Sequence, residues 1–163
     1  CQVLHDRLPI QEIKPMTEKE YYVRGCTALL DAVGGAVHHI GNIHKYAREE
    51  DRPSKTLFVI ITDGMENSSK RYDYAKVKQM IERQQERYGW EFMFLGANMD
   101  AIGEAGRFGI KAHMAAEYLC DEVGTALNYE AVNEVMCNVR ACKAMTSEWK
   151  EKIEKDVAKR RRR

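Results

Sequence analysis

The sequence lacks a long apolar segment and a regular cysteine pattern, and each absence excludes a class of protein. No apolar run approaches the roughly 20 residues that a membrane-spanning helix needs, so we expect no membrane partner. The five cysteines are odd in number and include no Cys-x-x-Cys pair. That pattern argues against a disulfide framework and favours a reducing compartment, so we expect a cytoplasmic protein.

Motifs typical of catalysis are also missing. The sequence contains no His-Glu-x-x-His zinc motif and no glycine-rich phosphate loop. Cys26 lies at the start of a predicted helix, where a thiolate is favoured. His38, His39 and His44 lie well along that same helix, away from the Cys26 thiol that a catalytic histidine would have to reach. We therefore predict that Cys26 and these histidines form no catalytic pair.

Charge is nearly balanced except at the C-terminus. The 26 basic and 25 acidic side chains give a net charge of +1, and five consecutive basic residues run from Lys159 to Arg163. Without these five residues the rest of the chain carries a net charge of −4. Adjacent cations add salt-sensitive, non-specific affinity for nucleic acid. Because no aromatic side chains are interleaved with them, a solvated chain end is the simpler interpretation.

The clearest structural signal is the segment from Thr56 to Asn67, TLFVIITDGMEN. Its five consecutive apolar residues, without polar alternation, are typical of a parallel strand that is covered on both faces. Asp63 and Gly64 follow almost at once, and Asp-Gly is typical of a turn. Ligands of open α/β sheets bind at the carboxyl ends of the strands. Asp63 is therefore either a turn former or a site residue.

Strand and helix signals alternate along the rest of the chain. The predicted helices cover 28–48, 70–88, 100–108 and 123–144, and the predicted strands cover 1–10, 57–62, 90–95 and part of 110–119. The segment Asn67-Ser68-Ser69 would cap the second helix, and Gly89 would end it. This alternation predicts an α/β fold with a doubly wound, mainly parallel sheet.

Three segments together resemble the von Willebrand factor type A domain. They are GCTALLDAV (25–33) at a helix start, LFVIITDG (57–64) at a strand and FMFLGAN (92–98) at the strand that follows. Their order and spacing are similar to those of the stand-alone A domains of bacteria and their phages, over about residues 1 to 135. The resemblance implies a protein-interaction module with a Rossmann-like fold and no catalytic activity.

The resemblance also implies a metal-ion-dependent adhesion site at the carboxyl edge of the sheet. In the family an Asp-x-Ser-x-Ser loop, a Thr in a second loop and an Asp after a later strand hold one divalent cation, usually Mg²⁺. Thr27 matches the second loop and Asp63 the third. Mg²⁺ takes oxygen ligands and keeps several waters, so the Asp or Glu of a partner protein can complete its coordination. By its position alone, Thr27 is also a candidate cap for the helix that follows it.

The Asp-x-Ser-x-Ser segment and the strands that would carry it have no counterpart in this sequence. The chain also begins with Cys1 inside an apparent strand. We therefore interpret residues 1–145 as a partial A domain and residues 146–163 as a charged helical tail. Binding of Mg²⁺ or Mn²⁺ is expected in a complete form that contains the missing motif. Without its central strands, the chain is expected to expose apolar strand edges and to self-associate.

Two other functions remain open from the residues. A Rossmann-like nucleotide-binding protein or enzyme would use the same Asp63. A metal-free A-domain scaffold would act through surface contacts, with its basic tail on nucleic acid. Asp31 would be either a solvated helix residue or a residue that supports the metal ligands from behind. Glu66 and Asn67 would either belong to a loop and a helix cap or contact a partner near the ion.

Overall fold

The computed structural model describes residues 2–18 and 25–161, in which strands and helices alternate. The three strands and five helices of this part follow the order expected for an α/β fold. Their bounds are α1 Leu29–Tyr46, β1 Leu57–Thr62, α2 Tyr74–Tyr88, β2 Glu91–Ala97, α3 Ala101–Arg107, β3 Ala115–Tyr118, α4 Glu122–Arg140 and α5 Glu151–Arg161.

The three described strands form one parallel sheet in the order β1-β2-β3. Leu57 of β1 pairs with Glu91 of β2, and Phe94 of β2 pairs with Ala115 of β3. A helix connects each strand to the next, because parallel neighbours need a crossover connection. The prediction of an α/β fold with a mainly parallel sheet is therefore confirmed. The narrower assignment to a doubly wound von Willebrand A fold stays a prediction.

The central strand β2 carries the core of the protein. Met93, Phe94 and Leu95 are completely buried. The ring of Phe94 packs 5.8 Å from that of Phe108, which follows α3, measured between ring centroids. Burying one large apolar side chain contributes about 1.5–3 kcal/mol to stability. The packing on β2 therefore holds the strand ends, and the loops that follow them, in fixed positions.

The predicted end of the second helix is confirmed, and its predicted start is wrong. Gly89 follows α2 with a φ angle of 64°, a left-handed conformation that glycine adopts without strain. The helix begins at Tyr74, where the carboxylate of Asp73 accepts the Lys76 N–H at 2.8 Å. The segment 67–69 lies before this cap in a loop, where its polar groups have partners outside α2.

The predicted strand over 1–10 is wrong for its described part, since residues 2–10 contain no strand; Cys1 lies outside the described residues. A strand needs a neighbour whose N–H and C=O groups pair with its own. No described strand runs beside this segment. Val3 and Ile10 are therefore largely exposed. Apolar composition predicted a strand for which the described chain offers no partner.

The segment predicted as a charged helical tail packs against the sheet over its described length. The helix α5 contacts β3 and α4 and buries Ile153 and Val157. Just before it, the indole N–H of the buried Trp149 donates to the His113 carbonyl at 2.9 Å. The ammonium group of the buried Lys150 donates to two backbone carbonyls near the start of β3. None of the described helices combines the length and apolar character needed to cross a bilayer.

Candidate functional site

The turn after β1 carries Asp63, the predicted ligand from the strand end. Thr62 closes this turn, because its hydroxyl donates to the Gly64 carbonyl at 2.7 Å and accepts the Gly64 N–H at 3.3 Å. Asp63 is exposed, and within the described residues its carboxylate has no hydrogen bond or ion pair. Asp63 is therefore not what holds the turn, and its oxygens are accessible to a ligand.

Thr27, the second predicted ligand, lies against the same turn. A Cβ atom added to Gly64 would stand 2.8 Å from the Thr27 Oγ1, too close for two unbonded atoms. Because glycine lacks that atom, the Thr27 hydroxyl can approach the turn. Asn67 fixes Thr27 from both sides: its Oδ1 accepts the Thr27 N–H at 2.9 Å, and its own N–H donates to the Thr27 carbonyl at 3.1 Å. The fold thus brings Thr27 against the turn that carries Asp63.

The prediction that Thr27 caps α1 is wrong. The first N–H groups of a helix have no partner inside the helix and need one from elsewhere. In α1 these partners come from the loop between β1 and α2, which lies far along the chain. The Leu30 N–H donates to Glu66 Oε2 at 2.8 Å, and the Asp31 N–H donates to Ser69 Oγ at 2.9 Å.

Glu66 is the centre of this loop. Besides the Leu30 N–H, its carboxylate accepts the backbone N–H groups of Ser68 at 2.9 Å and Ser69 at 2.7 Å. The Ser69 hydroxyl donates to it at 2.8 Å. Partial burial raises the pKa of Glu66, but the hydrogen bonds outweigh this effect and hold the pKa below its ordinary value. The expectation that Glu66 belongs to a loop and a helix cap is confirmed, although the helix is α1.

Asp31 binds the same loop from the helix side. Its carboxylate accepts the backbone N–H groups of Lys70 at 3.0 Å, Arg71 at 2.9 Å and Tyr72 at 3.0 Å. The bond from Lys70 is the largest of the effects that keep the pKa of Asp31 below its ordinary value. Asp31 is therefore an anchor of the loop. The expectation of a solvated helix residue is wrong, because its carboxylate is occupied by these N–H groups, whereas a role behind the metal ligands stays a prediction.

The described residues offer the type of donor atom that the implied cation requires, but too few of them. Thr27 and Asp63 offer a hydroxyl and a carboxylate, the oxygen donors that Mg²⁺ prefers. The carboxylates of Glu66 and Asp31 are occupied by backbone N–H groups. No three His, Cys, Asp or Glu side chains of the described ranges come together as a metal-holding group. Two side chains are too few to hold Mg²⁺ by themselves.

A second polar cluster joins α2 and α3. The Tyr74 hydroxyl donates to Oε1 of the buried Glu104 at 2.5 Å, and Arg107 Nη1 donates to its Oε2 at 3.0 Å. The Arg107 guanidinium also lies 3.5 Å from the centre of the Tyr74 ring. Burial, followed by the hydrogen bond and the charge of Glu104, raises the pKa of Tyr74 to about 12. This cluster keeps a buried carboxylate paired and joins the two helices.

The cysteine and the histidines of the first helical region form no catalytic pair. Cys26 is exposed, and no described histidine is bonded to it. His38 lies 3.1 Å from the Asn42 amide, and His39 lies 3.1 Å from Asp6. These contacts are ordinary surface interactions.

The described part of the basic tail is largely paired with carboxylates. Arg160 forms ion pairs with Asp121 and Asp156, and Arg161 forms one with Glu117. Residues 162–163 lie outside the described residues. Paired arginines offer less free positive charge to a phosphate backbone than the run of five suggests.

The reciprocal binding between α1 and the loop after β1 was not predicted from the sequence. A partial signal was present, because Glu66, Ser68 and Ser69 follow an Asp-Gly turn and can all bind backbone groups. That signal predicted a cap for the next helix along the chain. It could not indicate that the N–H groups of an earlier helix would be the nearer donors.

Comparison of the chain with family models, with curated proteins and with solved structures found no match.

Proposed function

We propose that this protein is an interaction module of the von Willebrand A type that binds a partner protein at the carboxyl end of its sheet. In its complete form the site contains Mg²⁺, and a partner Asp or Glu completes the coordination of the ion. Thr27 and Asp63 are the ligands that this chain contributes. Catalysis forms no part of the proposal.

The observation that supports this proposal is the placement of the Thr27 hydroxyl against the Asp63–Gly64 turn, with a Cβ at Gly64 only 2.8 Å from it. The Thr27 hydroxyl thus lies against the turn that carries Asp63, although the two residues are distant in sequence. The loop that carries them is held by Glu66 and Asp31. A rigid loop with accessible oxygens suits recognition, because little conformational freedom is lost on binding.

The two alternative functions have weaker support. A nucleotide site at Asp63 would need a backbone cradle for phosphate, and the sequence contains no glycine-rich loop for one. A nucleic-acid function of the tail would need free cations, whereas Arg160 and Arg161 are paired with carboxylates.

The proposal is tested by calorimetric titration of Mg²⁺ and Mn²⁺ into this chain and into the longest protein that its gene encodes. We expect binding in the longer form, loss of binding with Asp63→Ala and weaker binding with the isosteric Thr27→Val. Absence of binding in every form would refute the metal-dependent mechanism.

Glu86→Ala is the matched control, because Glu86 is an exposed carboxylate on α2, outside the candidate site. It should leave cation affinity unchanged. An equal loss of affinity in Glu86→Ala and Asp63→Ala would mean that the cation binds through general surface charge, and that result would also contradict the proposal.

A further inference from the structure

A pocket of about 450 Å³ opens at the end of the sheet opposite to Asp63. It lies between the second half of α1, the loop 52–56 before β1, the second half of α2 and Trp90, which precedes β2. Its volume falls within the range of small-molecule sites, about 300–1,000 Å³. None of the functions considered above uses this pocket.

The charge of the pocket lining is entirely of one sign. No Asp or Glu is among the described residues that line it, whereas four cations and two histidines are: Lys45, Arg52, Lys55, Arg83, His38 and His44. No described carboxylate forms an ion pair with any of the four cations. The nearest carboxylates along the chain have other partners, since Asp51 pairs with Arg48 and Glu82 lies 3.8 Å from Lys78.

One part of this charge has a structural role. Arg52 donates from Nε to the Ala47 carbonyl at 3.1 Å and from Nη2 to the Lys45 carbonyl at 3.4 Å, and so binds the C-terminal end of α1. The ends of α1 and α2 that border the pocket each carry about half a negative elementary charge. That is about −1 in total against four full positive charges. The negative charge of the helix ends therefore neutralises only a small share of the positive charge of the four cations.

His44 also experiences the positive charge of the pocket, through Arg52. Its ring packs against Trp90 with 5.2 Å between the ring centroids. Burial, and after it the positive charge of Arg52, lowers the pKa of His44. An anion in the pocket would relieve this repulsion. Arg83 contributes less to the pocket than the other three cations, because it also lines a neighbouring depression that contains Glu82 and Glu86.

We propose that this pocket binds a small ligand that carries a phosphate or diphosphate group. Lysine and arginine side chains bind phosphate oxygens through charge-assisted hydrogen bonds, and the pocket supplies several of them without a competing carboxylate. Tyr88 lines the pocket and is more than half exposed, so its ring is available to a planar group attached to the phosphate. Both candidate ligands contain the phosphate group, which is attached either to a nucleoside or to a simpler group.

The test is calorimetric titration of pyrophosphate and of ADP into the chain at low and at physiological salt. We expect saturable, salt-sensitive binding of both probes. Tighter binding of ADP, reduced by Tyr88→Ala, identifies a nucleoside carrier. Equal binding identifies a simpler phosphate ligand. Absence of saturable binding of either probe would overturn the proposal, as would binding of a short single-stranded DNA without binding of either probe.

Two variants assign the binding to the pocket. Lys55→Gln and Lys45→Gln should each weaken both probes about fivefold to tenfold, because each removes one full charge from the lining. Lys143→Gln is the matched control, since Lys143 is exposed and lies outside the lining. A similar loss in the control would overturn the proposal. Circular dichroism and thermal melting of each variant separate lost binding from lost folding.

The proposal of a phosphate site and the proposal of an interaction site can be refuted independently. Asp63→Ala changes the opposite end of the sheet and should leave the affinity for pyrophosphate unchanged. If Asp63→Ala abolished pyrophosphate binding, the probe would be bound at the strand ends, and the assignment to this pocket would be wrong.

Discussion

Single side chains decide how the loop after β1 is held, and the two most important are carboxylates. Glu66 and Asp31 together accept six backbone N–H groups, four across the contact between this loop and α1 and two within the loop. A hydrogen bond to a charged group is worth more than one between neutral groups. Both residues therefore act on the position of Thr27 and Asp63 without being candidates for ligand contact.

Glu66→Ala is expected to lower the free energy of unfolding by about 2 kcal/mol, because Leu30, Ser68 and Ser69 lose a charged acceptor. Urea unfolding measures the change. Glu86→Ala, at an exposed carboxylate of α2, should cost less than about 0.5 kcal/mol. Equal effects of the two substitutions would show that Glu66 does not hold the loop.

The lowered pKa of Glu66 also gives this contribution a pH dependence. Because the folded-state pKa lies below the ordinary value of 4.5, the contribution is present in full above about pH 4.5. It is lost as the pH falls through the folded-state pKa. The stability difference between wild type and Glu66→Gln should therefore shrink on acidification in urea unfolding at a series of pH values. A difference independent of pH would contradict the role of the charge.

Tyr74 gives the opposite pH dependence. Because its pKa is raised from 10.0 to about 12, the neutral hydroxyl is favoured in the folded protein, and its contribution is present in full below pH 10. It is lost as the pH rises toward 12. Ultraviolet titration of phenolate absorbance, wild type minus Tyr74→Phe, should show a single late-titrating tyrosine. A difference curve with an ordinary midpoint would contradict both the burial of the Tyr74 hydroxyl and its hydrogen bond to Glu104.

At the scale of elements, one face of helix α1 is closely packed and another has open space. Val33 and Val37 are buried against the core, and Gly34 lies beside them where the ring of Tyr72 crosses the helix. Gly35, the next residue, has open space around it. Two adjacent glycines of one helix thus serve different purposes, since one permits a close approach and the other has no such role.

Alanine substitution should separate these two glycines. A Cβ at Gly34 would stand 2.6 Å from the Tyr72 ring, so Gly34→Ala is expected to destabilise the protein by about 1–3 kcal/mol. At Gly35 a Cβ meets nothing within 4 Å, so Gly35→Ala should stabilise it by up to about 1 kcal/mol through helix propensity. Thermal unfolding of the pair measures both effects. Changes of the same sign would show that Tyr72 does not pack on this face.

At the scale of the whole molecule, β1 lies at an edge of the described sheet. Within the described residues β1 pairs with β2 alone, and Ile61 on β1 is 46% exposed. An apolar strand with a row of unpaired N–H and C=O groups is a template for pairing with another chain. We therefore expect the self-association predicted from the sequence to involve the edge of β1 that no other described strand covers.

Sedimentation velocity over a range of concentrations should detect this self-association, and Ile61→Lys should weaken it, because a charge on an edge strand opposes pairing. Ile102→Lys is the matched control, since Ile102 is 45% exposed on α3, away from the edge. A monodisperse, cooperatively melting monomer at every concentration would contradict the expectation. So would an equal effect of the two substitutions.

Local sequence patterns predicted secondary structure best where a residue acts on its neighbours in the chain. The apolar run before Thr62 predicted a parallel strand, and Gly89 predicted the end of α2. The prediction that this strand is covered on both faces is wrong, because β1 lies at the edge of the described sheet and Ile61 is 46% exposed. The apolar residues at 2–10 predicted a strand wrongly, because pairing depends on a partner that composition does not reveal. The prediction for Thr27 located the residue near the strand end but gave it a cap role that Glu66 and Ser69 perform.

The alternation of strands and helices follows from local sequence patterns, because periodicity and turn chemistry act over a few residues of backbone. The tertiary structure alone decided which loop caps α1, which carboxylates are occupied by backbone N–H groups and which cations share one pocket. Each of these depends on groups that are distant in sequence, such as Leu30 and Glu66, or Lys45 and Arg83. Hydrogen bonds and charge interactions act over a few ångströms in space, so their partners are fixed only when the packed sheet brings those segments together.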